Sequence, residues 1–158
     1  MILILLLFPS LSIQAQDRYQ VTFEESLEAV IVKACFEGAA PRSLHRHDES
    51  WRFTRWVRVA DRPIARAAGP GHLDMPGLPE NACVEWKVDL GSALAEDNYR
   101  LAMKLDGAVL ADADLWFWRD DERRDILVEV GLPPGLSIST PWNELAPGVF
   151  KPERTPAS

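Results

Sequence analysis

Three histidines and two cysteines are the side chains of this 158-residue chain most suited to hold a metal or form a covalent bond. His45-Arg46-His47 is a His-x-His pair with Asp48 beside it. On an extended segment two histidines at that spacing project to one face and could share a metal, with His72 as a third ligand. Nothing else supplies a helix-borne ligand pair or a glutamate base at matching spacing, so the histidines are read as surface residues beside a turn. No metal ligand and no cofactor is therefore assigned. A search for a nucleophile is equally spare, with neither a Gly-x-Ser-x-Gly elbow nor a Cys and His placed to lower a thiol pKa. Asp112 and Asp114 are a carboxylate pair of a kind common in acidic loops, and no glycine-rich phosphate cradle occurs. No catalytic residue is assigned, and an autonomous enzyme is the less favoured class.

A binding surface is the stronger candidate. Residues 42–66 hold seven arginines (42, 46, 52, 55, 58, 62 and 66) against three acids (48, 49 and 61) in a chain whose formal charge is −7. Guanidinium planes alternating with Trp51, Phe53 and Trp56 could stack on a partner's rings. Trp51, Arg52, Arg55, Trp56 and Arg58, with Trp116 and Trp118, form the candidate surface. The preferred reading is internal: arginines on a half-exposed strand cover tryptophan faces and pair with Asp112, Asp114, Asp120 and Asp121. An acidic chain is a poor general binder of phosphate backbones, so no nucleic-acid partner is expected.

Cys35 and Cys83 stand in segments of strand character. No second cysteine lies two to four residues from either, which argues against a metal knuckle. The compartment decides their fate. Residues 1–8 are a nearly unbroken apolar run ending before Pro9, too short to cross a bilayer but suited to the apolar segment of a secretory signal, although no positive charge precedes it. Cleavage after Ala15 would deliver a mature chain of about 140 residues, enough for one core, to the periplasm or medium, where thiols oxidise. A Cys35–Cys83 disulfide is expected, and no other apolar run is long enough for stable membrane insertion after cleavage.

The elements that must position these groups read as strands. Residues 27–36 place Val30, Val32, Ala34 and Phe36 on one face, and residues 19–23 alternate before a turn at Glu24-Glu25-Ser26. Residues 82–90 alternate cleanly, with Cys83, Glu85, Lys87 and Asp89 opposite Val84, Trp86, Val88 and Leu90. Residues 51–60 read as a strand interrupted at Arg55, with Val57 and Val59 on one face and Trp56 and Arg58 on the other. Asp106-Gly107 is a hairpin dipeptide between residues 99–105 and 108–114. A helical turn fits residues 91–98. Residues 115–118 and 126–130 are further strands joined by a charged loop, residues 69–79 form a long irregular loop, and Pro133-Pro134-Gly135 turns the chain into residues 136–139. Six Trp and 12 Pro argue against a helical bundle. The expectation is an all-β, antiparallel β-sandwich with long Pro/Gly-rich loops over residues 16–145, after a signal peptide at 1–15 and before a polar, Pro-containing tail at 146–158.

The stretch Leu115-Trp116-Phe117-Trp118, the strand 125–130, and Leu132-Pro133-Pro134-Gly135 through Pro141-Trp142 together resemble the N-terminal β domain of secreted gluzincin metallopeptidases of the glycyl-aminopeptidase-like group. About 30 residues carry the likeness, in which a strand ends in a Leu-Pro-x-Gly turn leading to a short strand and a Pro-Trp. In that family zinc chemistry belongs to a later His-Glu-x-x-His domain, a motif this sequence lacks, so no catalytic residue transfers. The resemblance implies an accessory, non-catalytic domain whose partner is another domain or protein, such as a peptidase catalytic domain. A stand-alone periplasmic ligand-binding or adhesion module is the alternative.

Overall fold

The computed structural model describes residues 16–45, 49–60, 62–63, 71–75, 77–96, 101–120 and 125–152. The expected leader, with its expected cleavage point after Ala15, lies outside the described residues, as do residues 46–48, which include His47, residues 121–124 of the expected charged loop, which include Asp121, and residues 153–158.

Where hydrophobic residues alternate, strands form: β1 (Gln16–Phe23), β2 (Ala29–Cys35), β3 (Ser43–His45), β4 (Thr54–Val59), β5 (Arg62–Pro63), β6 (His72–Asp74) and β7 (Cys83–Asp89). A short helix α1 (Leu90–Ala95) follows, and then β8 (Ala102–Leu105), β9 (Ala108–Ala111), β10 (Asp125–Gly131), β11 (Asn143–Ala146) and β12 (Val149–Lys151). The all-β expectation holds. Eight strands make one sheet in the order β11-β12-β10-β1-β2-β7-β4-β5, and β3 with β6 and β8 with β9 make two small ones. Neighbours in the large sheet run antiparallel except β1 and β10, which are parallel. Parallel partners need a long crossover, and the whole chain between β1 and β10 serves as one.

One face of the large sheet is dry. Tyr19 and Val21, Val30, Val32 and Ala34, Val84, Trp86 and Val88, Ile126 and Val128, and Phe150 are all buried there. The layer over them is built from short pieces: Leu44 of β3, Leu73 of β6, Phe53, Leu90 and Leu94 of α1, and the segment 115–118. Asp89 ends β7 and starts α1 in one residue, its carboxylate accepting the Ser92 N–H at 2.8 Å as a helix cap does.

Several expectations change here. Residues 115–118 are not a strand. A single 3-10 turn at Ala113–Leu115, with Asp112 accepting the Asp114 N–H, leads into an irregular run whose four side chains are all buried. The expected long loop 69–79 contains β6, because Leu73 is drawn into the core opposite Leu44. Residues 136–139 form no strand. The sheet also runs past residue 145: β12, within the expected tail, pairs with β10 and buries Phe150. Its hairpin with β11 needs Gly148, whose φ is +74° and whose added Cβ would stand 3.2 Å from the Val130 carbonyl oxygen.

Candidate binding surface

The arginine and tryptophan segment splits into two geometries. Ser50–Phe53 form a 3-10 turn that buries Phe53 and leaves Trp51 45% exposed, and β4 begins at Thr54. Thr54 lies opposite Val88 and Trp56 opposite Lys87, so Arg55 is an extra residue in the strand. That bulge decides which side chains face out. An uninterrupted alternation from Thr54 would send Val57 and Val59 to solvent. The inserted residue reverses the pleat and places Val57 and Val59 on the core side, opposite Trp86 and Val84. Trp56 and Arg58 then stand on the outward face, with the Arg58 guanidinium 4.4 Å from the Trp56 ring.

Arg52, Arg55 and Arg58 are held by carboxylates. Arg52 meets Glu96 at 2.9 Å, Arg58 meets Glu85 at 2.8 Å, and Arg55 pairs with Asp89. Internal pairing was expected, but with Asp112, Asp114, Asp120 and Asp121, the last of which lies outside the described residues. The partners seen are instead those that β7 and α1 carry beside β4, since cross-strand neighbours are the groups within reach. The pairs are partly exposed, so each adds little stability, and their effect is to fix the directions of the side chains.

Trp116 and Trp118 do not belong to this surface. They are 4% and 0% exposed. Trp118 stacks on Trp86 with ring centroids 4.6 Å apart and planes 2° from parallel, and the Trp86 indole N–H donates to the Trp116 carbonyl at 3.0 Å. Trp116 packs edge-on against Phe23 and Trp142. Four consecutive apolar residues lying flat on a sheet gain more from burial on every side than a strand that exposes alternate ones, and aromatic stacking adds about 0.5–1.5 kcal/mol per pair.

The outward face of the sheet is a residue set that sequence reasoning did not assemble. Across the middle strands runs the row Glu129, Gln20, Lys33, Glu85, Arg58, and beside it Thr22, Ile31, Lys87, Trp56. Charges alternate along the first row, with Gln20 donating to Glu129 at 3.5 Å, and Lys87 reaches Glu24. Arg18, Gln20, Thr22 and Lys33 are exposed while Ile31 and Leu127 are half-buried. The polar positions of each strand were legible; their union into rows depends on strand order.

Cys35 and Cys83 are joined. They lie opposite one another on β2 and β7, with Cα atoms 4.0 Å apart, on the outward face. The next pair along the register, Phe36 and Ala82 just beyond the strand ends, carries a backbone hydrogen bond, so the cysteines occupy a non-hydrogen-bonded position, where side chains approach most closely. Two of the three histidines also meet: His45 of β3 stands opposite His72 of β6, and both are exposed. No three His, Cys, Asp or Glu side chains are grouped as a metal centre among the described residues. Nor is any helix among them long and apolar enough to cross a membrane.

No protein-family model matches the chain, and no curated protein matches it.

Proposed function

We propose that this chain is an exported, non-catalytic β module that docks onto another domain or protein through the outward face of its large sheet. The observation that carries the reading is the asymmetry of that sheet. One face is sealed by a layer of short elements, while the other presents Trp56, Ile31 and Leu127 among exposed polar and charged groups. A core of aromatic rings surrounded by polar groups is the usual composition of a protein-binding patch. The charged groups near Trp56 are already engaged with one another, which suits a scaffold surface more than a reacting site. Export is supported by the disulfide, since such bonds persist in oxidising compartments. The metallopeptidase catalytic domain implied by the sequence resemblance is the partner class we favour.

Two measurements test this. Expressed with its own leader, the chain should appear in the periplasm or medium with a mass lacking residues 1–15; retention of Met1 in a cytosolic product with two titratable thiols ends the export reading. The coding sequence next to this one should specify a His-Glu-x-x-His domain that co-purifies with the chain, and the substitutions Trp56→Ala and Lys33→Glu should release it. Co-purification unchanged by both substitutions places the contact elsewhere.

A second reading, a stand-alone ligand-binding or adhesion module, is favoured by the exposure of Trp51 beside Arg52. A polysaccharide or peptide ligand should then quench tryptophan emission in wild type and not in Trp51→Phe. A flat titration over such ligands removes it.

A further inference from the structure

We infer that His45 and His72 form a two-imidazole site for a divalent transition cation of the zinc, nickel or copper kind on the small β3–β6 sheet. The inference is independent of export and of docking through the large sheet. Its basis is register. His45 lies directly opposite His72, and the neighbouring pair Leu44 and Leu73 is buried at 0% and 1% exposure. In a strand successive side chains take opposite faces, so with both leucines fixed inward, both imidazoles are directed outward.

Backbone hydrogen bonding sets the spacing of the two residues. The His45 N–H donates to the Arg119 carbonyl, and the His45 carbonyl accepts from the Arg119 N–H. Both main-chain groups of His45 are thus turned away from β6. Toward His72 it occupies a non-hydrogen-bonded position, for which Cα atoms stand about 4.5 Å apart and side chains are nearest. Arg119 holds the outer flank of β3, and the Met75 N–H, donating to the Arg42 carbonyl at 2.8 Å, extends the β3–β6 ladder by one pair. The buried leucines and the ladder fix the backbone beneath both donors, so the ordering that a cation imposes falls on the two side chains alone.

The surrounding charge is mixed. Asp74 lies on the same face as His72, its Oδ1 3.9 Å from His72 Nε2, and favours a cation. Arg119, exposed on the other flank of His45, opposes one. Imidazole nitrogen suits zinc, nickel and copper and does not suit magnesium or calcium, which take oxygen ligands. With two protein nitrogens the remaining positions belong to water, so the site is open to an outside ligand.

The test uses the full chain, disulfide intact and without a polyhistidine tag, titrated with zinc chloride by calorimetry and followed by the imidazole proton resonances. Wild type should take up one equivalent saturably, with the His45 and His72 resonances shifting together. His45→Gln and His72→Gln should each weaken binding by at least the roughly tenfold that loss of even an outer partner costs at metal sites. Arg119→Gln should tighten it. His47→Gln, which alters the third histidine, should leave saturable binding in place, with the His45 and His72 resonances still shifting together. Both paired histidines are exposed, so their variants should keep the wild-type thermal midpoint and circular dichroism. Absence of saturable binding, binding that survives both pair variants, or binding abolished by His47→Gln alone overturns the inference.

Discussion

Replacing Cys35 and Cys83 together by alanine removes a cross-link that closes a loop of 48 residues in sequence separation. In the chain-entropy treatment, a loop of that length stabilises the fold by about 4 kcal/mol, acting on the unfolded chain. The folded state should lose little. β2 and β7 are paired continuously from Ala29 opposite Asp89 to Cys35 opposite Cys83, and the sulfurs lie on the outward face, so no core cavity opens. For a domain of this size each kcal/mol moves the thermal midpoint by about 3–4 °C, which converts to a fall of about 12–16 °C. Calorimetric melts of oxidised wild type, wild type reduced with a phosphine, and Cys35→Ala/Cys83→Ala should show the last two coinciding well below the first. Near-ultraviolet circular dichroism of all three should match before melting, because the tryptophan cluster is on the other side of the sheet. A drop under about 3 °C would refute the chain-entropy reasoning for this loop. Loss of the aromatic dichroism in the reduced protein would instead show the bond shaping the native sheet.

Three further outcomes separate core from surface. Trp118→Ala should cost about 3–5 kcal/mol in urea denaturation, as deletion of a fully buried ring does, whereas Trp56→Ala should cost about 1 kcal/mol or less, the worth of one partly exposed cation–π contact; similar losses would contradict their assignment to core and surface. Phe150→Ala should cost about 3–5 kcal/mol if β12 belongs to the main sheet, and a stability unchanged by it would return that segment to the tail. A double-mutant cycle on Arg58 and Glu85 should give a coupling of about 0.2–1 kcal/mol that declines as salt is raised; a coupling of several kcal/mol indifferent to salt would mean a pair far less solvated than its exposure indicates.

The parts of the fold legible in the sequence are those where a strand is long enough to show its period. β7 displays Cys83, Glu85, Lys87 and Asp89 against Val84, Trp86 and Val88, and its burial follows that alternation without exception. β2 and the hairpin turn at Asp106-Gly107 are of the same kind. Three-residue strands escape notice. Ser43-Leu-His45 and His72-Leu-Asp74 each contain a single buried residue, so neither has a period to read, and their pairing appears only once Leu44 and Leu73 share a core. Phe150 was hidden likewise, as one aromatic residue in a Pro-containing segment. For the candidate surface, the interruption at Arg55 was visible, but which face it exposes follows from the bulge against β7.

From the residues alone came the all-β character of the chain, the in-and-out pattern of its longer strands and the expectation that its two cysteines would join. The first two rest on local chemistry, side-chain alternation and backbone preference, and the third on the apolar leader that would send the thiols to an oxidising compartment. Strand order, the parallel seam between β1 and β10, the burial of Trp116 and Trp118, and the meeting of His45 with His72 belong to the tertiary structure alone. Each depends on which distant segment supplies the opposite wall, and an isolated stretch of sequence holds no record of its future neighbour.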